Sequence, residues 1–281
     1  LRPAFRQMGK RLAESGYAVL VVNPFYRTKK APTADQGAAT PIPSLMPLAQ
    51  GLNETTHMTD AKAFIAWLDR QAPVAKNRKI GTQGYCMGGP LVVRTAAAVP
   101  NRVGAGGSFH GGGLVTDKPE SPHLLASKIK AKMYFGIAAN DDMKQPDQKD
   151  KLKESFGAAK VQAEIEVYKS LHGWCISDMP KQNGSPIYNQ ADAEKAWGKL
   201  LALYKAGKST ESVFQEAVGM DLATFDRQFG AWVDERTRGI DEKAFSELVS
   251  AAQKSMSEGE VDKAIDALKS AIAMYPEDRK S

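Results

Sequence analysis

The 281-residue chain contains only two cysteines, Cys86 and Cys175. Two cysteines cannot form the disulfide framework that stabilises many small secreted domains. Neither belongs to a group of Cys and His residues at the spacing that binds zinc. We therefore expect no disulfide network, no metal ion and no other cofactor, together with a reducing, cytoplasmic location.

The chain also lacks any apolar run of the roughly 20 residues that a membrane-spanning helix needs. No charged and apolar segment at its start has the pattern of a secretory signal. Lysine and arginine number 38 against 32 aspartates and glutamates, which gives a net charge of +6. Basic surfaces can bind nucleic acid, but these basic residues are scattered and no nucleic-acid-binding motif accompanies them. The sequence predicts neither a membrane nor a nucleic-acid partner.

Residues 1–207 alternate between helix and strand patterns. The segment 17–22 is predicted to be a buried strand, and Thr59 is predicted to cap a helix. Further strands are expected at 79–83, 103–109, 132–138 and 163–168, and further helices at 90–99, 147–156 and 191–205. Strands separated by helices indicate an α/β fold with a doubly wound, mostly parallel sheet. Such sheets carry their functional sites at the carboxyl ends of the strands.

Residues 208–281 lose the strand pattern and form a predicted helical tail. Short amphipathic helices are expected over 212–217, 222–233, 245–256 and 261–274. The last two resemble one tetratricopeptide-type hairpin. A single hairpin of this kind cannot bury its own apolar face, so we expect the tail to pack on another surface.

The segment Gly84-Tyr85-Cys86-Met87-Gly88-Gly89 lies between a predicted strand and a predicted helix and has the pattern of a nucleophile elbow. The central residue of such a turn is strained, and its side chain projects from the carboxyl edge of the sheet. Backbone N–H groups at the start of the next helix favour a thiolate and can hold an oxyanion. We therefore predict Cys86 as a nucleophile and the N–H of Met87 as an oxyanion donor. An ordinary buried cysteine in a glycine-rich turn is the alternative.

A cysteine nucleophile needs a base, and the base needs a third group to orient it. In α/β-hydrolases the order along the chain is nucleophile, acid, histidine. Asp141 and Asp142 follow the predicted strand at 132–138, and His172 follows the one at 163–168. Both positions fit that order, so the sequence predicts a Cys, Asp, His set.

The other three histidines fit a catalytic role less well. His57 and His123 have the surroundings of surface or structural residues. His110 ends a predicted strand and precedes three glycines, which is similar to the oxyanion segment of lipases. That segment precedes the nucleophile in lipases, whereas His110 follows Cys86. We therefore predict that His110 lines the substrate pocket.

The elbow, the Asn140-Asp141 turn and His172-Gly173-Trp174 together resemble the dienelactone hydrolase family over residues 1–206. The resemblance implies an α/β-hydrolase that acts on lactones and activated esters. It also implies a triad in which Cys86 is the nucleophile, His172 the base and Asp141 the orienting acid, with Asp142 as the second choice.

The resemblance also implies substrate-binding residues. The Tyr26-Arg27 pair is similar to a family segment whose arginine binds a substrate carboxylate, a task suited to a planar guanidinium. Phe109, His110 and Trp174 complete the set that we expect to bind substrate.

Two departures from the family pattern affect these expectations. Ile176 stands where the family has a second carboxylate-binding arginine, so a dienelactone itself is not the expected substrate. The family's first strands, and a loop that supplies the second oxyanion donor, would precede Leu1. We therefore expect a sheet without its N-terminal strands, and a bare edge of this kind favours pairing with a second copy.

Two functions remain open from the sequence. The first is a cysteine-dependent hydrolase of a small-molecule ester or lactone. The second is a non-catalytic or redox-responsive protein of the same fold, whose helical tail binds another protein. The expected macromolecular contacts are a homodimer or a tail-mediated complex.

Overall fold

The computed structural model describes residues 3–34, 40–205, 220, 224, 227–228, 230–231, 242–258 and 260–273. The chain divides into two compact units, Leu1–Gly207 and Lys208–Ser281.

A four-stranded, fully parallel sheet forms the centre of the first unit. Its strands lie side by side in chain order: β1 (Ile80–Tyr85), β2 (Val103–Phe109), β3 (Lys132–Ile137) and β4 (Ala163–Val167). Parallel neighbours need a crossover between them, and helical segments supply each one. The predicted parallel α/β fold is confirmed.

Helices cover both faces of the sheet, as the doubly wound pattern requires. The first face carries α4 (Gly88–Ala98), α6 (Gln148–Ala158) and a 3₁₀ segment (Pro122–Lys128), with α3 (Glu54–Leu68) packed on α4. The second face carries α1 (Pro3–Glu14) and α7 (Gln190–Lys205). Shorter helices are α2 (Met46–Gln50), which follows a 3₁₀ turn (Ile42–Leu45), and α5 (Ala139–Lys144).

Two apolar cores result from the alternation of side chains along each strand. On β3, Met133, Phe135 and Ile137 enter the core of the first face, whereas Tyr134 enters the core of the second. The Phe135 ring packs against Phe156 of α6 with centroids 5.1 Å apart. Both cores are therefore built on the same strands that position the site.

The predicted strand at 17–22 is not formed, and the sheet of the described chain begins at Ile80. This segment has no strand pairing, and Val19 and Val21 instead lie next to Gly9 of α1. A run of apolar residues indicates burial, but a strand also requires a partner for its backbone groups. The apolar residues of this segment therefore contact α1, and the segment is not a strand of the sheet.

The predicted helix cap at Thr59 is also wrong. Helix α3 begins five residues earlier, where the Asn53 side chain accepts the Thr56 N–H and the Thr56 hydroxyl accepts the Asn53 N–H. This reciprocal pair is a capping box, which is stronger than a single cap. Thr59 lies inside the helix.

The second unit contains two helices that pack against each other, α8 (Glu242–Ser257) and α9 (Val261–Ala273). They confirm the predicted helices at 245–256 and 261–274. The helix at 212–217 and most of the one at 222–233 fall outside the described residues. Within the described ranges, every helix is too short or too polar to cross a membrane.

Candidate active site

The strand register brings four chain segments to one edge of the sheet. Tyr85 lies beside Phe109, Phe109 lies beside Gly136, and Ile137 lies beside Val167. The residues that follow these strands therefore emerge close together. They include Cys86 after β1, His110 after β2, helix α5 after β3, and the loop that holds His172 after β4.

Cys86 occupies a strained turn between β1 and α4. Its φ angle is 55°, in the left-handed region that non-glycine residues rarely adopt. The turn is compact because Gly84 lies against α4, where a Cβ would overlap the carbonyl of Gly88. The Cys86 N–H donates to the carbonyl of Phe109 at 3.1 Å, and the side chain is exposed. This is the geometry of a nucleophile elbow.

Asp141 and His172 form a direct hydrogen bond. The Nδ1 atom of His172 lies 2.6 Å from Oδ2 of Asp141. The backbone is also fastened, because Asn140 Oδ1 accepts the His172 N–H at 2.8 Å and the carbonyl of Ser170 accepts the Ala139 N–H at 3.0 Å. The sequence reasoning missed the role of Asn140, for which its place beside Asp141 was the only signal.

Asp142 faces a different partner. Its carboxylate accepts from Lys149 Nζ at 2.7 Å and 3.0 Å. The two adjacent aspartates therefore divide their contacts, and Asp141 is the one that reaches the histidine.

Electrostatics favour a charged pair of thiolate and imidazolium. The hydrogen bond to Asp141, followed by the one to Cys86, raises the pKa of His172 to about 9. Loss of solvent around the sulfur raises the pKa of Cys86, but hydrogen bonds from His172 and from the N–H of Met87 lower it further than that, so the net shift is downward. The positive end of α4 acts in the same direction.

The three aromatic residues predicted to bind substrate lie behind the triad positions. Phe109, His110 and Trp174 are all buried. The His110 ring packs against His172 at 4.7 Å and against Trp174 at 5.1 Å between centroids. His110 thus packs directly on His172, while Phe109 and Trp174 belong to the core of the second face, and we call these three residues the aromatic wall behind His172.

Tyr26 and Arg27 meet at a buried carboxylate. The Tyr26 hydroxyl donates to Asp60 at 2.9 Å, and the Arg27 guanidinium forms an ion pair with the same side chain at 2.5 Å. Within the described residues, neither forms a hydrogen bond or an ion pair with Cys86, Asp141 or His172. In the structure, the side chains of Tyr26 and Arg27 are therefore both bound to Asp60.

The remaining histidines have structural contacts. His57 is buried beside Arg94, with Nδ1 and Nη1 2.9 Å apart, and burial lowers its pKa to about 4. His123 lies 2.8 Å from the Ser121 hydroxyl. Among the residues described, no group of three or more His, Cys, Asp or Glu side chains could hold a metal ion.

The two cysteines should differ sharply in reactivity, because a thiolate is the reacting form. Cys86 is exposed and its pKa is lowered, whereas Cys175 is buried and its pKa is raised by that burial. We expect iodoacetamide to label Cys86 in the folded protein. The pH midpoint of this labelling should lie below the ordinary thiol pKa of about 8.5. Cys175 should be labelled only after unfolding.

Peptide mapping by mass spectrometry across a pH series measures both cysteines in one sample. The Cys175→Ala variant is the control and should keep the Cys86 profile. Labelling of Cys175 at the same rate as Cys86 in the folded protein would contradict this prediction.

Comparisons with known proteins identify the family of this chain. The model of the dienelactone hydrolase family matches residues 2–207. A carboxymethylenebutenolidase of Rhodococcus opacus is 23% identical over 204 residues, which cover 72% of this chain and 75% of that protein. The protein usf of Aquifex pyrophilus is 21% identical over 202 residues, which cover 71% and 79%.

Solved structures share the fold at low sequence identity. The dienelactone hydrolase-like promiscuous phosphotriesterase P91, from metagenomic libraries, superposes with a TM-score of 0.58 at 20% identity, covering 73% of this chain and 81% of that one. The protein named m3DLH superposes with a TM-score of 0.60 at 22% identity, covering 74% and 82%. Because the family model matches most of the chain, this protein belongs to the dienelactone hydrolase family, whose members are ester and lactone hydrolases.

Proposed function

We propose that this protein hydrolyses lactones or activated carboxylic esters through a triad of Cys86, His172 and Asp141. The observation that carries the proposal is the 2.6 Å hydrogen bond between Asp141 and His172 at the sheet edge where Cys86 occupies its elbow. A base oriented by a carboxylate and hydrogen-bonded to a strained nucleophile is the arrangement that acyl transfer needs.

The reaction would begin from the charged pair. The Cys86 thiolate attacks the carbonyl carbon, and the negative charge moves to the carbonyl oxygen beside the N–H of Met87. The N–H of Met87 is one of the groups that lower the pKa of Cys86, and in the proposed reaction the same N–H would stabilise the oxyanion. As the carbon–oxygen bond to the leaving group breaks, His172 gives its proton to the departing alkoxide. The acyl group stays on Cys86 as a thioester.

Water completes the cycle. His172, now neutral, takes a proton from a water molecule whose oxygen attacks the thioester. The carbon–sulfur bond breaks, the carboxylic acid leaves, and the thiolate and imidazolium are restored. Throughout, Asp141 holds Nδ1 of His172 and stabilises the imidazolium without taking a proton.

In this proposal, Tyr26 and Arg27 influence which substrates the protein accepts. We keep Tyr26 and Arg27 as substrate-facing residues because both are partly exposed. An anionic acyl group would have to compete with Asp60 for the guanidinium, so neutral esters and lactones fit this site better. Phe109, His110 and Trp174 enter the proposal as the apolar wall behind His172.

A trapped acyl-enzyme tests the proposal directly. We expect brief incubation with p-nitrophenyl acetate, followed by acid quenching, to add one acetyl group to the peptide that contains Cys86. The Cys175→Ala variant should show the same adduct, and alkylation of Cys86 beforehand should abolish both the adduct and steady-state turnover. An unmodified Cys86 during active turnover would refute the thioester mechanism.

The alternative is a non-catalytic or redox-responsive protein whose tail contacts a partner. One observation favours it, because α8 and α9 carry large apolar side chains that are exposed: Met256, Val261, Ile265 and Leu268. The same acyl-enzyme experiment separates the two functions, since a non-catalytic protein releases no p-nitrophenol above the background rate. A homodimer, a tail-mediated complex and a cytoplasmic location stay predictions.

A further inference from the structure

His110 has an unusual backbone for a buried side chain. Its φ angle is 41°, in the left-handed region, and only 1% of its surface is exposed. Glycine adopts this conformation freely, and three glycines follow immediately. A strained residue next to a candidate nucleophile indicates that its side chain has a task.

The contacts of His110 connect it to the elbow. Its backbone N–H donates to the carbonyl of Gly136 on β3 at 2.7 Å, which anchors the residue to the sheet. Its Nδ1 atom accepts the N–H of Cys86 at 3.2 Å. Two residues further on, the N–H of Gly112 donates to the carbonyl of Cys86 at 3.2 Å. The carbonyl of Phe109, the last residue of β2, also accepts the N–H of Cys86 at 3.1 Å, so Nδ1 of His110 shares this donor. The end of β2 and the segment after it therefore together hold both backbone polar groups of Cys86.

This role requires a neutral imidazole. Because Nδ1 accepts a hydrogen bond, the ring proton lies on Nε2, which is buried and has no partner among the described residues. Burial, and then the nearby charge of His172, lowers the pKa of His110 to about 3. The titratable groups that face the ring are His172, Cys86 and Tyr85, whose ring lies 6.0 Å away.

A positively charged His110 would disrupt the site in two ways. It would have no lone pair for the Cys86 N–H, and it would repel an imidazolium at His172 across a centroid distance of 4.7 Å. The neutral ring avoids both effects. Its packing between Trp174 and His172 also restricts the orientation of the base.

We propose that His110 is a positioning residue, which holds Cys86 in its left-handed conformation through Nδ1 and supports the ring of His172 from the protein interior. The inference rests on the proposed pairing of Cys86 with His172. It differs from a substrate-binding role because the ring has no surface with which to touch a substrate.

Two substitutions separate the hydrogen bond from the packing. His110→Leu keeps a similar volume but removes the acceptor. His110→Asn keeps an acceptor oxygen near the place of Nδ1 and tolerates the left-handed conformation. The control is His123→Asn, which changes a histidine that is also hydrogen-bonded through Nδ1 but belongs to a different loop.

The main readout is the pH midpoint of Cys86 alkylation. We expect His110→Leu to raise this midpoint by about one pH unit and to lower the alkylation rate at pH 7 about tenfold, because a misplaced thiol loses its pairing with His172. His110→Asn should restore the alkylation rate to within about threefold of the parent rate, and the pH midpoint to within about half a pH unit of the parent midpoint. KM for a neutral ester should stay unchanged while kcat falls in the Leu variant.

Folding of each variant is checked by thermal unfolding. If His110→Leu does not fold, His110→Ala replaces it under the same criterion. A folded Leu or Ala variant with the parent midpoint, or an Asn variant as impaired as the Leu variant, overturns the proposal. Alkylation reports the thiol state without turnover, so a protein that fails to hydrolyse esters but shows these shifts refutes the proposed function alone.

Discussion

Replacing Cys86 with alanine should lower kcat/KM for p-nitrophenyl acetate by at least about 10³-fold, because the residual rate then comes only from binding and any remaining oxyanion contact. Alanine adopts a positive φ angle no more readily than cysteine, so the strain of the elbow is unchanged. The loss therefore measures the thiol itself.

Two further variants sharpen this result. Cys86→Ser keeps an oxygen nucleophile, but a hydroxyl is not ionised by His172 as a thiol is, so we expect a loss nearly as large. Cys175→Ala removes the only other thiol and should keep activity within about twofold, since this residue lies in the second core. A Cys86→Ala protein that retains more than a tenth of the parent rate would rule out the thiol mechanism.

Replacing Asp141 with asparagine should have the next largest effect, a fall in kcat of about 10² to 10⁴-fold. The carboxylate is the first cause of the raised pKa of His172. Without it, that pKa should fall from about 9 toward its ordinary value near 6.5. The alkaline limb of the pH–rate profile should therefore move to lower pH, because the acid that protonates the leaving group is lost earlier.

The matched control is Asp142→Asn at the neighbouring position. Asp142 contacts Lys149 and not His172. A partly exposed ion pair contributes little to stability, so kcat should stay within about twofold and the alkaline limb should not move. Equal losses in the two variants would contradict the assignment of Asp141.

Stability offers a second measurement on the same pair of variants. A folded-state pKa of His172 above its unfolded value stabilises the folded protein at pH values below about 6.5, and this contribution is lost as the pH rises through about 9. The difference in free energy of unfolding between the parent and Asp141→Asn should therefore be larger at pH 6 than at pH 10. Denaturant titrations at both pH values measure it.

Much of the fold follows from local pattern. The strand at 103–109 was predicted with the bounds that the structure shows, and the strands at 132–138 and 163–168 differ by one residue at their ends. The run at 132–138 is mostly apolar, the run at 163–168 alternates apolar and charged residues, and the run at 103–109 combines small and apolar residues. Each lies between helical patterns, so local pattern identifies all three as strands. The strand at 17–22 failed because pairing depends on which backbone lies alongside, and no local pattern carries that information.

The candidate site divides in the same way. The elbow and the order of Cys86, Asp141 and His172 can be predicted from the sequence because each residue lies within five positions of the end of a strand, and parallel strands end at one edge. The sequence favoured Asp141 over Asp142 only through the family resemblance. The 2.6 Å contact with His172 depends on how α5 begins after β3.

By itself, the sequence determined the fold class, the family and the residues at which chemistry could occur, because helix and strand periodicity and short motifs are local properties. Only the tertiary structure decided that Asp60 holds Tyr26 and Arg27, that His110 accepts the N–H of Cys86, and that the aromatic wall is buried. Each of these contacts joins residues 24 or more positions apart or depends on strand register. Side-chain direction at such distances is set by packing against the rest of the chain, which no local pattern encodes.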